Sequence, residues 1–97
     1  MAEYERVALI GLGLIAGSMA QAIRRRGGVR EITGYAQSEQ TRAVAREIGL
    51  VDRVTSSAAE AVQDADLVVL AVPVGAMGAV ARQIGPHLKA GATVTDV

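Results

Sequence analysis

A run of small residues at positions 11–16, Gly-Leu-Gly-Leu-Ile-Ala, has the spacing of a G-x-G-x-x-G/A motif. Gly11 permits a tight turn out of a strand, and Gly13, which has no Cβ, lets a pyrophosphate approach the backbone. Ala16 is small enough for a helix to pack closely on that strand. The helix N-terminus then offers unpaired N–H groups and partial positive charge to phosphates. The motif predicts a dinucleotide site, whose first contacts we expect from Gly11, Leu12, Gly13, Leu14 and Ile15.

A carboxylate about 20 residues beyond such a motif usually binds the adenosine ribose. Here that place is taken by Ala36, Gln37 and Ser38, all three candidate cofactor contacts, and the next carboxylate is Glu39. The absence of a carboxylate at these positions disfavours FAD and S-adenosylmethionine as cofactors. It also removes the negative charge that would repel a 2′-phosphate. Ser38 can donate a hydrogen bond to such a phosphate, and Arg42 can supply positive charge. In the other interpretation Ser38 is only a helix N-cap and Arg42 a solvated side chain. We expect NADP or NAD, with NADP favoured.

Two more segments are predicted to reach the same site from the fourth and fifth strands. Pro73 donates no hydrogen bond and fixes φ, so it turns the chain sharply over the cofactor. Met77 either joins an apolar wall for adenosine or packs in the helix core. Asp96 ends the fifth strand near the expected nicotinamide position, where a turn-forming role is the alternative. The candidate contacts from these segments are Val72, Pro73, Val74, Met77, Thr95 and Asp96.

The elements that position these residues alternate along the chain between short apolar runs and helical periods. Continuous apolar runs bounded by glycine or proline are typical of strands buried on both faces. Apolar residues at helical spacing predict helices between them, with Ala22 on the buried face of the first and Val44 and Ile48 on that of the second. Ser38 caps the second helix, and Ser57 opens a capping box in the third. The predicted strands are 7–10, 31–35, 51–55, 67–72 and 92–97.

Strand–helix alternation with short connections predicts one α/β domain over residues 1–97. Its expected form is a Rossmann-type doubly wound parallel sheet with strand order 3-2-1-4-5. Ligands of such sheets bind in the crevice at the carboxyl ends of the first and fourth strands. No helix follows the fifth strand, so we expect the fold either to be truncated there or to have this surface covered by something else.

Composition excludes several classes of protein. Ten basic and ten acidic residues give a formal net charge of zero, which leaves no electrostatic footprint for nucleic acid or an anionic membrane. No apolar run approaches the roughly 18–20 residues of a membrane span. The chain has no cysteine, hence no disulfide framework and no thiolate nucleophile, and no metal site is predicted. We expect a cytoplasmic protein with a small-molecule substrate.

The segment 11–20, G-L-G-L-I-A-G-S-M-A, resembles the G-L-G-L-I-G-G-S-L-A opening of prephenate and arogenate (cyclohexadienyl) dehydrogenases. A-D-L-V-V-L-A-V-P-V at 65–74 and T-D-V at 95–97 are also similar to that family. The resemblance covers essentially the whole chain. This sequence departs from the family at Ala16 and at Ala36, where NAD-using members often carry Asp.

The resemblance implies oxidative decarboxylation of prephenate or arogenate in tyrosine biosynthesis, with hydride transfer to NAD(P). It also implies a mostly helical C-terminal domain that supplies substrate contacts and the interface of a homodimer. The family's catalytic His motif would fall after Val97, so no catalytic residue is assigned here, and we expect the isolated chain to be inactive. The alternatives are the nucleotide-binding domain of a β-hydroxyacid or imine reductase, and a stand-alone nucleotide-binding module.

Overall fold

The computed structural model describes residues 5–11, 14–27, 29–49 and 51–96. In this part of the chain, five parallel strands form one sheet in the order β3-β2-β1-β4-β5, which confirms the predicted fold class and strand order. None of the helices in these ranges combines the length and apolar character needed to cross a membrane. The elements are β1 (Arg6–Ile10), α1 (Leu14–Arg26), β2 (Glu31–Tyr35), α2 (Glu39–Ile48), β3 (Arg53–Val54), α3 (Ala58–Val62), β4 (Leu67–Leu70), α4 (Val74–Ile84) and β5 (Thr93–Asp96).

The central strand β1 pairs with β2 on one side and with β4 on the other. Side chains alternate between the two faces of a strand. Val7 and Leu9 therefore pack with α1 and α2 on one face, and Ala8 and Ile10 pack with α3 and α4 on the other. All four are buried. Burial on both faces is the reason that these strands are continuous apolar runs in the sequence.

Three strands are shorter than predicted, although each lies where it was expected. The third is Arg53–Val54 and not 51–55, because it pairs only with β2, at the edge of the sheet. The fourth ends at Leu70 and not at residue 72. The Ala71 N–H still donates to the Ile10 carbonyl (2.8 Å), but the chain then turns toward Pro73, which has no N–H. The fifth is Thr93–Asp96, and Val97 lies outside the described residues.

The predicted buried faces of α1 and α2 are wrong at two positions. Ala22 is exposed, and Val44 is 49% exposed, whereas Ala20 and Ala45 are buried against the sheet. Each residue turns a helix by about 100°, so a face centred on Ala45 directs its neighbour Val44 toward solvent. The side chain of Ile48 lies outside the described part of the structure.

The helix caps follow the sequence closely. The Ser38 hydroxyl accepts a hydrogen bond from the Thr41 N–H (3.3 Å), and the Ser57 hydroxyl accepts one from the Glu60 N–H (3.1 Å). The Glu60 carboxylate reaches the N–H (3.4 Å) and hydroxyl (3.2 Å) of Ser56, one residue before the partner expected in a capping box. The N-termini of α2 and α3 are therefore set by local side-chain hydrogen bonds.

Asp66 ties together the amino ends of three strands. Its Oδ2 atom accepts hydrogen bonds from the N–H groups of Glu5 (2.9 Å) and Arg6 (3.0 Å), and its Oδ1 atom pairs with the Lys89 ammonium. Its carbonyl accepts from the Thr93 N–H (2.8 Å) at the start of β5. The hydrogen bond from Lys89 and those from the two backbone N–H groups hold the pKa of Asp66 below its ordinary value, against the opposing effect of desolvation.

We expect the free energy of unfolding of Asp66→Asn to fall less steeply in acid than that of the unmodified protein. Because the folded pKa of Asp66 lies below the unfolded one, its contribution is fully present above about pH 4 and is lost as the pH falls through the folded pKa. At pH 7 the substitution should cost about 1 kcal/mol. Urea unfolding followed by circular dichroism, repeated at several pH values, measures both effects. Asp64→Asn removes an exposed carboxylate and is the control; equal acid slopes in all three proteins would contradict the prediction.

Candidate functional site

The turn that leaves β1 is held tightly against the ends of β2 and β4. Gly11 has φ +96°, and its N–H donates to the Tyr35 carbonyl (2.7 Å). A Cβ at this position would lie 2.3 Å from the Ala71 carbonyl oxygen and 3.0 Å from Cγ1 of Val72. Glycine is therefore required at position 11 both by its backbone conformation and by the close approach of another backbone segment. Helix α1 begins three residues later, at Leu14, so its N-terminus lies beside this turn.

A cleft of about 770 Å³ opens at the carboxyl ends of β1, β2 and β4. It lies where the strand order reverses between β1 and β4, the place predicted from the topology. The structure brings six of the predicted site residues together in its lining, namely Gly11, Ala36, Gln37, Ser38, Val72 and Pro73.

Five other predicted residues do not line this cleft. Val74 begins α4 and is 87% exposed. Met77 packs against the core between α3, α4 and the sheet, which is the alternative role proposed for it. Thr95 and Asp96 lie at the carboxyl end of β5, at the same edge of the parallel sheet as the cleft but one strand beyond β4. Arg42 is the fifth, and its side chain contacts the carbonyls of the loop that borders the cleft.

The remaining predicted contacts belong to the glycine motif. Leu12 and Gly13 lie outside the described residues. Leu14 and Ile15 form the beginning of α1, and their side chains are not described. For these four residues the assignment as cofactor contacts stays a prediction.

The loop from β2 to α2 shows what Ser38 and Arg42 do in the folded chain. Ser38 is the N-cap of α2, as one of the two interpretations held. Arg42 is not simply solvated: its Nη1 atom donates to the carbonyls of Ala36 (2.5 Å) and Gln37 (3.1 Å). The guanidinium carbon also lies 5.6 Å from the centre of the Tyr35 ring, within the range of a cation–π contact. The loop therefore carries a fixed positive charge, and residues 36–38 include no carboxylate.

Helix α4 contributes to the cleft through other residues than the predicted Val74 and Met77. Ala76, Ala79, Val80 and Gln83 line it at i, i+3, i+4 and i+7, and Arg82 flanks this stripe. Tyr35, Thr41 and Ala58 were missed as well. The helical spacing on α4 was a usable signal, but small residues on a helix facing a sheet are more often interpreted as core.

A glycine turn between the central strand and its helix, beside a cleft at the strand-order reversal, defines a Rossmann-type dinucleotide-binding domain. Residues 19–97 match the family described as "Prephenate dehydrogenase, nucleotide-binding domain". The chain belongs to this family. The resemblance seen in the sequence is thereby confirmed, and the match favours this family over β-hydroxyacid and imine reductases.

Known relatives agree with the family assignment. The cyclohexadienyl dehydrogenase of Zymomonas mobilis is 42% identical over 96 residues, which cover 99% of this chain and 33% of that protein. The prephenate dehydrogenase of Lactococcus lactis is 33% identical over 93 residues, covering 95% of this chain and 26% of that protein. The chain therefore spans a third or less of the length of these two relatives.

The structure is similar to solved members of the family. A prephenate dehydrogenase from A. aeolicus, in complex with hydroxyphenyl propionate and NAD⁺, superposes with a TM-score of 0.84 at 30% identity, covering 95% of this chain and 32% of that one. The arogenate dehydrogenase of Synechocystis gives a TM-score of 0.83 at 33% identity with the same coverage of the two chains.

Proposed function

We propose that this domain binds NAD(P) and forms the cofactor-binding part of a prephenate or arogenate dehydrogenase. The observation that carries the proposal is the turn at Gly11, whose missing Cβ allows backbone to approach backbone beside a cleft and a helix N-terminus. The solved relative that contains NAD⁺ supports the choice of cofactor.

The residues present fit a nicotinamide dinucleotide. The cleft volume of about 770 Å³ lies within the range of about 300–1,000 Å³ that is usual for ligand pockets. In the proposal, Gly11, Gly13 and the N-terminus of α1 hold the pyrophosphate, and the loop 36–38 holds the adenosine ribose. The apolar exit of β4, with Val72 and Pro73, closes the cleft on the opposite side.

The chemistry that a bound nicotinamide supplies is hydride acceptance. The proposed reaction of the whole protein is the oxidation of the ring carbon that bears the hydroxyl of prephenate or arogenate, with loss of carbon dioxide to make the ring aromatic. Thr95 and Asp96, at the carboxyl end of β5, are proposed to border the nicotinamide end of the site. Substrate contacts and the homodimer interface are assigned to parts of the relatives that this chain does not span. A cytoplasmic location, without nucleic-acid or membrane partners, is part of the same proposal.

We propose further that NADP is preferred to NAD. The loop 36–38 has no carboxylate that would repel a 2′-phosphate. The guanidinium of Arg42 is held beside this loop by hydrogen bonds to the carbonyls of Ala36 and Gln37. The Ser38 hydroxyl accepts the Thr41 N–H, so its own hydrogen is available for donation to a phosphate oxygen.

The experiment that tests the proposal is an initial-rate assay of the full-length gene product with prephenate or arogenate, each with NAD or NADP. We expect reduction of the cofactor with at least one of the two substrates, at a higher kcat/KM with NADP. The 97-residue chain alone, assayed under the same conditions, should show no turnover. Failure to reduce either cofactor with either substrate, with nucleotide binding intact, would refute the proposed substrate class.

A further inference from the structure

Arg82 is a cation at the cleft that the glycine turn and the β2–α2 loop do not account for. It lies in the third turn of α4, next to Gln83, and both side chains line the cleft. Its Nη1 atom lies 3.6 Å from the position that a Cβ on Gly78 would take, so the guanidinium folds back along the helix. No carboxylate of the described residues lies within ion-pair distance of Arg82. Arg82 is exposed and has no ion-pair partner among these residues, so its guanidinium is available to a ligand in the cleft.

The side chains that line the cleft beside Arg82 are small and apolar. Ala58 contributes from α3, and Ala76, Ala79 and Val80 contribute from α4. Side chains of this size leave room for a flat apolar group and offer it no hydrogen bond. On α4 the polar side chains beside this apolar stretch are Arg82 and Gln83, and across the cleft they are Gln37, Ser38 and Thr41.

The elements that border the cleft indicate where each part of a bound dinucleotide would lie. The pyrophosphate belongs at the Gly11 turn, and the adenosine ribose belongs at the carboxyl end of β2. Beyond the ribose, the next part of the molecule is the adenine ring, which has flat apolar faces and nitrogen acceptors at its edge. The apolar side chains of α4 can pack against a face of the adenine ring. A guanidinium can either stack on that ring or donate a hydrogen bond to one of its nitrogen acceptors.

We infer that Arg82 contacts the adenine ring of the bound dinucleotide and contributes to its affinity. The inference rests on the proposed function. Arg42 donates to two backbone carbonyls and does not line the cleft, whereas the side chain of Arg82 does, so Arg82 can contact the adenine directly. Because NAD and NADP carry the same adenine, Arg82 acts on both alike, in contrast to the loop 36–38.

The test is calorimetric titration of the full-length protein with NAD, NADP, ADP-ribose and nicotinamide mononucleotide. Arg82→Ala should weaken binding of the three adenine-containing ligands by about fivefold and leave the mononucleotide unchanged. Arg82→Lys keeps the charge but loses the planar group, so it should remain weakened. Arg46→Ala, which removes an exposed arginine from α2, is the matched control and should bind all four ligands normally.

Several outcomes would overturn the inference while leaving the proposed function intact. Unchanged affinities in Arg82→Ala would show that Arg82 is only a surface residue. A loss confined to NADP would make it a phosphate ligand, and full recovery in Arg82→Lys would reduce its role to charge. If the unmodified protein bound neither dinucleotide nor ADP-ribose, the proposed function itself would fail, and this inference with it.

Discussion

Replacement of Gly11 by alanine is expected to destabilise the domain by about 3 kcal/mol and to abolish nucleotide binding. The added Cβ would lie 2.3 Å from the Ala71 carbonyl oxygen, and the backbone at φ +96° is unfavourable for any residue with a side chain. Relief requires β1 and the exit of β4 to move apart, which breaks the hydrogen bond from the Ala71 N–H to the Ile10 carbonyl (2.8 Å). Both walls of the cleft move with them.

Gly49→Ala separates the effect of the close approach from the effect of backbone strain. Gly49 also has a positive φ, of +67°, but a Cβ there meets no atom within 4 Å. That variant should lose only about 1 kcal/mol and keep its nucleotide affinity. Urea unfolding by circular dichroism and calorimetric titration with NADP measure the two properties. If the two glycine variants unfold at the same urea concentration, the proposed backbone clash at Gly11 is wrong.

Introduction of a carboxylate at the end of β2 by Ala36→Asp is expected to weaken NADP by about 100-fold relative to NAD. Ala36 lines the cleft at the end of β2, so the new carboxylate adds a negative charge at the loop where the 2′-phosphate is proposed to bind. A carboxylate a few ångströms from a 2′-phosphate costs about 2–3 kcal/mol at the effective dielectric constant of a protein surface, which corresponds to about 100-fold. NAD lacks that phosphate and gains a partner for its ribose hydroxyls.

Ala36→Asn is the matched control, since it adds a side chain of similar size without charge. It should change KM for NAD and NADP by similar factors, whereas Ala36→Asp should separate them. The KM values of the full-length protein for both cofactors, at one ionic strength, give the comparison. Equal changes in KM for the two cofactors in Ala36→Asp would mean that the 2′-phosphate does not lie at this loop, and the proposed preference for NADP would lose its basis.

Features of the fold that depend on neighbouring residues were predictable. The buried strands are marked by continuous apolar runs, because a strand covered on both faces has no side exposed to water. The caps at Ser38 and Ser57 are made within four residues of sequence. The strand order is the one expected for a doubly wound sheet built from alternating strands and helices. The glycine motif also located the turn at Gly11, because one residue type satisfies both a left-handed backbone and a close contact.

Features that depend on distant segments were decided only by the tertiary structure. Val44 was predicted to be buried, but the docking angle of α2 on the sheet selected Ala45. Arg42 was expected to be a phosphate ligand or a solvated side chain, and in the folded chain it holds the carbonyls of its own loop.

The sequence by itself determined the fold class, the position of the glycine turn and the family, because each of these is encoded in short segments. The wall that α4 gives to the cleft, including Arg82, was decided by how that helix packs beside α3. Helical periodicity shows which residues share a face, but it does not show whether that face meets a core or a cleft. That choice is made by the packing of elements that lie far apart in the sequence.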